Sequence, residues 1–165
     1  MPIALGVDAA NVLRDRRGIG RYVRSMLRTW DASFADRVEP TLLVPGMFPG
    51  LTAPRLADSI GIERVRVAGR DDAERRPMDV VWYPWNGMTW TTSIRSAVTI
   101  HDLWPFVSPS GDERRRAREQ GQYLTAARRA DRFIAVSHNA AREAVTFLVR
   151  VKDVLEDPAR LVLDL

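Results

Sequence analysis

Pro2-Ile3-Ala4-Leu5-Gly6-Val7-Asp8 opens the chain and decides the fold. It is a short apolar run ending in an acid, the pattern of a strand buried on both faces of a parallel sheet. A polar, glycine-containing stretch follows. Then Tyr22, Val23, Met26, Leu27 and Trp30 recur at three- and four-residue spacings, which marks one face of a helix beginning near Gly18. The opening reads strand, loop, helix.

The same alternation continues along the chain. Glu39 to Pro45 reads as a second strand centred on Leu42, Leu43 and Val44, and Pro45-Gly46 ends it. Met47 to Arg76 is rich in Pro, Gly and charge, and predicts loops with a helix at Leu51 to Ser59 and a weak strand at Arg64 to Val67. Asp79 to Tyr83 and Ala97 to His101 are further strands, separated by an aromatic loop, Trp85 to Trp90. Gly111 to Ala130 predicts a long charged helix with Tyr123, Leu124 and Ala127 inward. Asp131 to Val136 is the last clear strand, and Ser137 is placed to cap a helix over Asn139 to Val149. Strand and helix alternate almost throughout, so the expected class is α/β: a single Rossmann-like, doubly wound, mostly parallel sheet flanked by helices. Ligands of such sheets bind beyond the carboxyl ends of the strands.

The chain has 165 residues, 45% of them hydrophobic, enough for one full core and too few for two ordinary enzyme domains. With no cysteine it has no disulfide, no thiolate nucleophile and no cysteine-ligated zinc, as expected of a reducing, cytoplasmic setting. The sequence contains neither a long apolar span nor a signal peptide pattern. A net charge of +4 favours phosphates, on nucleotides, anionic lipid headgroups or nucleic acid, without choosing among them. The run Arg114-Arg115-Arg116 reads first as a solvated helix face, and the aromatic sheet motif or recognition helix of a nucleic-acid binder is not evident, so no nucleic-acid partner is expected.

Three segments carry candidate chemistry. In Arg17-Gly18-Ile19-Gly20-Arg21-Tyr22 the glycines let backbone approach a ligand, and the N–H groups of the following helix end favour an anion; a tight turn feeding a helix explains them as well. Val23 stands where a dinucleotide fingerprint needs a third glycine, which disfavours NAD. Thr99-Ile100-His101-Asp102-Leu103-Trp104-Pro105 puts a histidine and an acid at a buried strand end, where His101 can hydrogen-bond a sugar hydroxyl or phosphate. Asp102 can then fix the ring tautomer or hold the local backbone. Two histidines, no cysteines and no close acidic cluster leave no metal site. In the third segment, Ala130 to Asn139, Ser137 can contact a ligand hydroxyl or simply cap its helix, and capping is the simpler role. A hydrolase built from Ser137, His101 and Asp102 lacks the Gly-x-Ser-x-Gly elbow.

Together and in this order, Gly18 to Tyr22, His101 to Pro105 and Ala130 to Ser137 resemble the N-terminal, acceptor-side half of family-4-type (group 1) retaining GT-B glycosyltransferases, over about residues 1 to 148. The resemblance implies transfer of a hexose, with mannose the expected sugar, from a nucleotide diphosphate sugar to a hydroxyl acceptor, without metal or other cofactor. It assigns Gly18, Ile19, Gly20 and Arg21 to the donor diphosphate, and His101 with Asp102 to the reacting centre. Trp85, Asn86, Trp90 and Ser137 fall to the acceptor, with either tryptophan stacking on a sugar face or packing half-buried. Implied partners are GDP-mannose or a UDP-sugar and a glycan or lipid-linked acceptor, the latter bringing the protein to the inner face of the membrane. A stand-alone, non-catalytic nucleotide- or carbohydrate-binding module of flavodoxin-like fold is the alternative.

The pattern departs from that family after Leu148. A linker and second Rossmann domain are expected there, whereas Val149 to Leu165 reads as a closing helical tail that packs back on the domain, with Pro158 breaking it. The expectation is a lost or removed donor domain, an inactive isolated chain, and self-association through the surface so exposed.

Overall fold

The computed structural model describes residues 1–46, 48–150 and 161–163. They form β1 (Ile3–Asp8), α1 (Ile19–Ser33), β2 (Val38–Val44), α2 (Ala53–Ile60), β3 (Arg66–Gly69), β4 (Val80–Tyr83), β5 (Ser96–Ile100), α3 (Trp104–Val107), α4 (Glu113–Arg129), β6 (Arg132–Ala135), α5 (His138–Arg150) and β7 (Leu161–Leu163). The class is α/β, an open, all-parallel sheet flanked by helices and Rossmann-like in type. Contacts cluster into two compact units: residues 1–82 with 92–94, and residues 83–91 with the chain from Arg95 onward.

In the first unit the strand order is β3-β2-β1-β4. β1 lies between β2 (Ile3 opposite Val38, Asp8 opposite Leu43) and β4 (Leu5 opposite Val80, Val7 opposite Trp82). A strand covered on both faces has no solvent side, which is why Leu5, Val7 and Asp8 are all buried together with Gly6. A Cβ on Gly6 would lie 2.9 Å from Met78 Sδ and 3.0 Å from Leu43 Cδ1, so a larger residue there would require these side-chain ends to shift. α1 buries Val23 and Leu27, and α2 buries Leu56 and Ile60. Trp82 of β4 packs edge-to-face with Tyr22 and Trp30, with ring centroids 6.0 Å and 5.2 Å away.

The second unit holds β5, β6 and β7 in parallel, with Ala97 opposite Arg132, Ile100 opposite Ala135 and Phe133 opposite Leu161. Asp131 closes the start of β5, accepting from the Ser96 N–H at 2.8 Å. Phe106 of α3, Tyr123 of α4 and Phe147 of α5 form an aromatic cluster with centroids 4.7 to 6.5 Å apart. Small residues let α5 sit close: Ala140, Ala141 and Ala144 are buried, the first two against Ala135.

Two expectations need adjustment. β3 lies at Arg66–Gly69 rather than Arg64 to Val67, because pairing with β2 begins only at Thr41 opposite Arg66. The helical tail expected over 149–165 falls mostly outside the described residues, Pro158 included. The part that is described ends α5 at Arg150 and then forms a strand, β7, on β6. Among the described residues no helix is long and apolar enough to cross a membrane.

Candidate functional site

In the first unit the glycine turn is organised by Asp15. Its carboxylate accepts from the Arg17 N–H and the Gly20 N–H, each at 2.9 Å. Arg24 reaches back from α1 to donate to the Val12 and Asp15 carbonyls at 2.9 and 2.7 Å. The two glycines serve different needs. Gly18, the N-cap of α1, has φ 49° and ψ −117°, backbone that side chains disfavour, with open space around it. Gly20 is needed for space, since a Cβ there would meet the Asp15 carbonyl oxygen at 1.9 Å. Ile19 is half-buried and Arg21 exposed. The helix end expected to receive a ligand anion thus already holds an internal one, as its positive end favours.

At the end of β1, the buried Asp8 accepts from Arg70, the residue after β3, at 2.8 Å. The pair sits at the carboxyl edge of the first unit's sheet. Sequence reasoning missed it because 62 residues separate the partners; the acid ending β1 was the one signal available.

In the second unit the structure brings His101, Asp102, Asn86 and Ser137 to the carboxyl ends of β5 and β6. Asn86 is buried and has φ 64°, a left-handed conformation that asparagine tolerates better than most residues. Its own N–H donates to the Thr99 carbonyl at 3.1 Å. Its side-chain oxygen accepts from the His101 N–H at 2.6 Å and the Asp102 N–H at 3.4 Å. The His101 ring is half-buried, with Nε2 3.0 Å from the Pro84 carbonyl oxygen. A carbonyl only accepts, so Nε2 carries a hydrogen toward Pro84. Of the two roles open to Asp102, the carboxylate performs the backbone one, accepting from the Trp104 N–H at 3.0 Å as α3 begins.

The aromatic loop is packed tightly. Val81 to Met88 are all buried, Trp85 among them, which leaves little of its ring face to a ligand. Trp90 is half-buried against Tyr83, at 5.2 Å between centroids. Gly87 approaches α4 so closely that a Cβ would lie 2.6 Å from the Gln122 carbonyl, and the Met88 N–H donates to that oxygen at 3.0 Å. Next to it, the buried Tyr123 hydroxyl is hydrogen-bonded with the Asn86 side chain, and burial pushes its pKa upward. Ser137 caps α5, its hydroxyl accepting from the Ala140 N–H at 3.1 Å.

The sequence reading named Tyr123 only as an inward helix residue. Among the described residues no three His, Cys, Asp or Glu side chains are grouped to hold a metal ion. No protein-family model matches this chain, and neither does any curated protein or solved structure.

Proposed function

We propose that this chain is the acceptor-side half of a retaining glycosyltransferase, transferring a hexose such as mannose from a nucleotide diphosphate sugar to a hydroxyl acceptor. The observation supporting this is positional. The three motif segments follow the carboxyl ends of parallel strands, Gly18 to Tyr22 after β1, His101 to Pro105 after β5 and Ser137 after β6. Within each unit these are the positions, beyond the carboxyl ends of the strands, where ligands of open α/β sheets bind. His101 is the candidate reacting-centre residue, and catalysis is mainly electrostatic: the departing diphosphate is stabilised by N–H groups and cations while the acceptor hydroxyl is positioned beside it. A donor-binding domain, in the same or another polypeptide, completes the reaction, so these 165 residues by themselves bind ligand without turnover. A lipid-linked acceptor would bring the protein to a membrane surface.

The Asp15 carboxylate in the glycine turn favours a second reading, a non-catalytic carbohydrate-binding module in which Gly18 and Gly20 only shape the turn. Titrating the labelled chain with GDP-mannose, UDP-glucose and the free sugars, followed by amide shifts, separates the two. Under the enzyme reading, nucleotide sugars move Ile19 to Tyr22 and His101 to Leu103. Movement by free sugars alone selects the binding module, and silence at both segments sinks the enzyme reading.

A further inference from the structure

The loop after β4 touches His101 twice. Asn86 Oδ1 accepts from the main chain of His101 and Asp102, and the Pro84 carbonyl accepts from the ring. The same loop is clamped from its other side by α4, through Gly87 and Met88 against Gln122. With its oxygen turned toward residues 101 and 102, the Asn86 carboxamide presents its NH2 group to the Tyr123 hydroxyl. Tyr123 is itself locked between Phe106 and Phe147.

We propose that Asn86 is a positioning residue: anchored on Tyr123, it sets the turn that carries His101 and thereby holds the imidazole in its Nε2–H tautomer against Pro84. A neutral ring held this way carries its lone pair on Nδ1, so the protein and not the ligand sets which ring nitrogen can accept. The arrangement is suited to this task. The carboxamide supplies one acceptor for two adjacent N–H groups and tolerates φ 64°, while a buried carboxylate at the same place would have to be desolvated. The use made of the ring rests on the reading above; the tautomer does not.

The chain contains two histidines, which makes the test direct. His138, exposed at the start of α5, is an internal reference for an unconstrained ring. Long-range proton–nitrogen spectra at a pH where both rings are neutral are expected to give one pyrrole-type nitrogen, Nε2, for His101 and a tautomer mixture for His138. Asn86→Gly keeps the left-handed backbone while deleting the acceptor, and is expected to turn His101 into a mixture like that of His138. Asn86→Asp, which restores an acceptor oxygen, should recover the single form. Tyr123→Phe keeps the aromatic packing and is expected to give a smaller shift in the same direction; it decides the matter if circular dichroism finds Asn86→Gly unfolded.

An unchanged His101 signature in Asn86→Gly, or in Tyr123→Phe where that variant decides, would overturn the proposal, as would a native ring protonated on Nδ1. Titration of the native chain with the same nucleotide sugars keeps the two ideas apart. A tautomer that depends on Asn86 in a chain whose His101 never responds to ligand would retain the positioning role and reject the transferase.

Discussion

After β1 the chain turns around a carboxylate, Asp15, whereas after β4 it turns around a neutral amide, Asn86. Each side chain accepts two backbone N–H groups, and each stands beside a glycine pressed against neighbouring backbone, Gly20 on Asp15 and Gly87 on Gln122. They differ in burial: Asp15 is half-exposed and Asn86 buried. A charge near water keeps much of its hydration and gains from the helix end it faces, while the same charge inside the 81–88 segment would lose its hydration. The two turns solve one problem, satisfying N–H groups past a strand end, with the acceptor that each environment tolerates.

Substituting the glycines tests this comparison most severely. Gly20→Ala puts a Cβ into the Asp15 carbonyl, and a loss of about 3 kcal/mol in urea unfolding is expected. A loss below about 1 kcal/mol would mean that the turn yields easily. Exchanging the acceptors comes next. Asn86→Asp should destabilise by about 2 kcal/mol at neutral pH because it buries a charge. Asp15→Asn should cost only about 1 kcal/mol, since an acceptor oxygen remains. Equal effects from the two exchanges would remove burial as the explanation.

Tyr123→Phe should cost about 1 kcal/mol, the net worth of one hydrogen bond, with the aromatic cluster intact. The smallest effect concerns Glu74, another exposed carboxylate that serves a turn. The Ser93 N–H and then the Thr92 hydroxyl hold its pKa below the usual carboxylate range. A lowered folded pKa contributes above the unfolded value and is lost as pH falls through the folded one. Protection of the Ser93 amide, measured against its intrinsic exchange rate, should therefore fall as Glu74 becomes protonated, whereas Glu74→Gln, with no carboxylate to titrate, should show no such step; protection in the native chain that does not change with pH would dismiss the tether.

Legibility divided along the same line as the physics. The strands announced themselves because buried parallel strands are continuous apolar runs, as at Ile3 to Val7 and Val98 to Ile100. α1 did so because Tyr22, Val23, Met26, Leu27 and Trp30 share a face. The Ser137 cap was also readable, since a cap bonds within its own first turn. α3 was not: four residues of Trp, Pro, Phe and Val are too few to show a period.

Among the site residues, Asn86, His101 and Asp102 were named from sequence, but their connections were not. A carboxamide that reaches 15 residues along the chain leaves no local pattern. By itself the sequence determined the α/β alternation, the positions of the turns past the strand ends and the residue types available there, because these follow from periodicity and short-range backbone preferences. Only the tertiary structure decided that Asp15 occupies the glycine turn, that Asp8 meets Arg70, and that Tyr123 and Asn86 stand behind His101. The last two depend on which distant segments pack together, and hydrogen bonds of fixed length select among polar residues whose spacing in sequence carries no signal; the Asp15 bonds span only two and five residues, but several polar side chains of that loop could have made them.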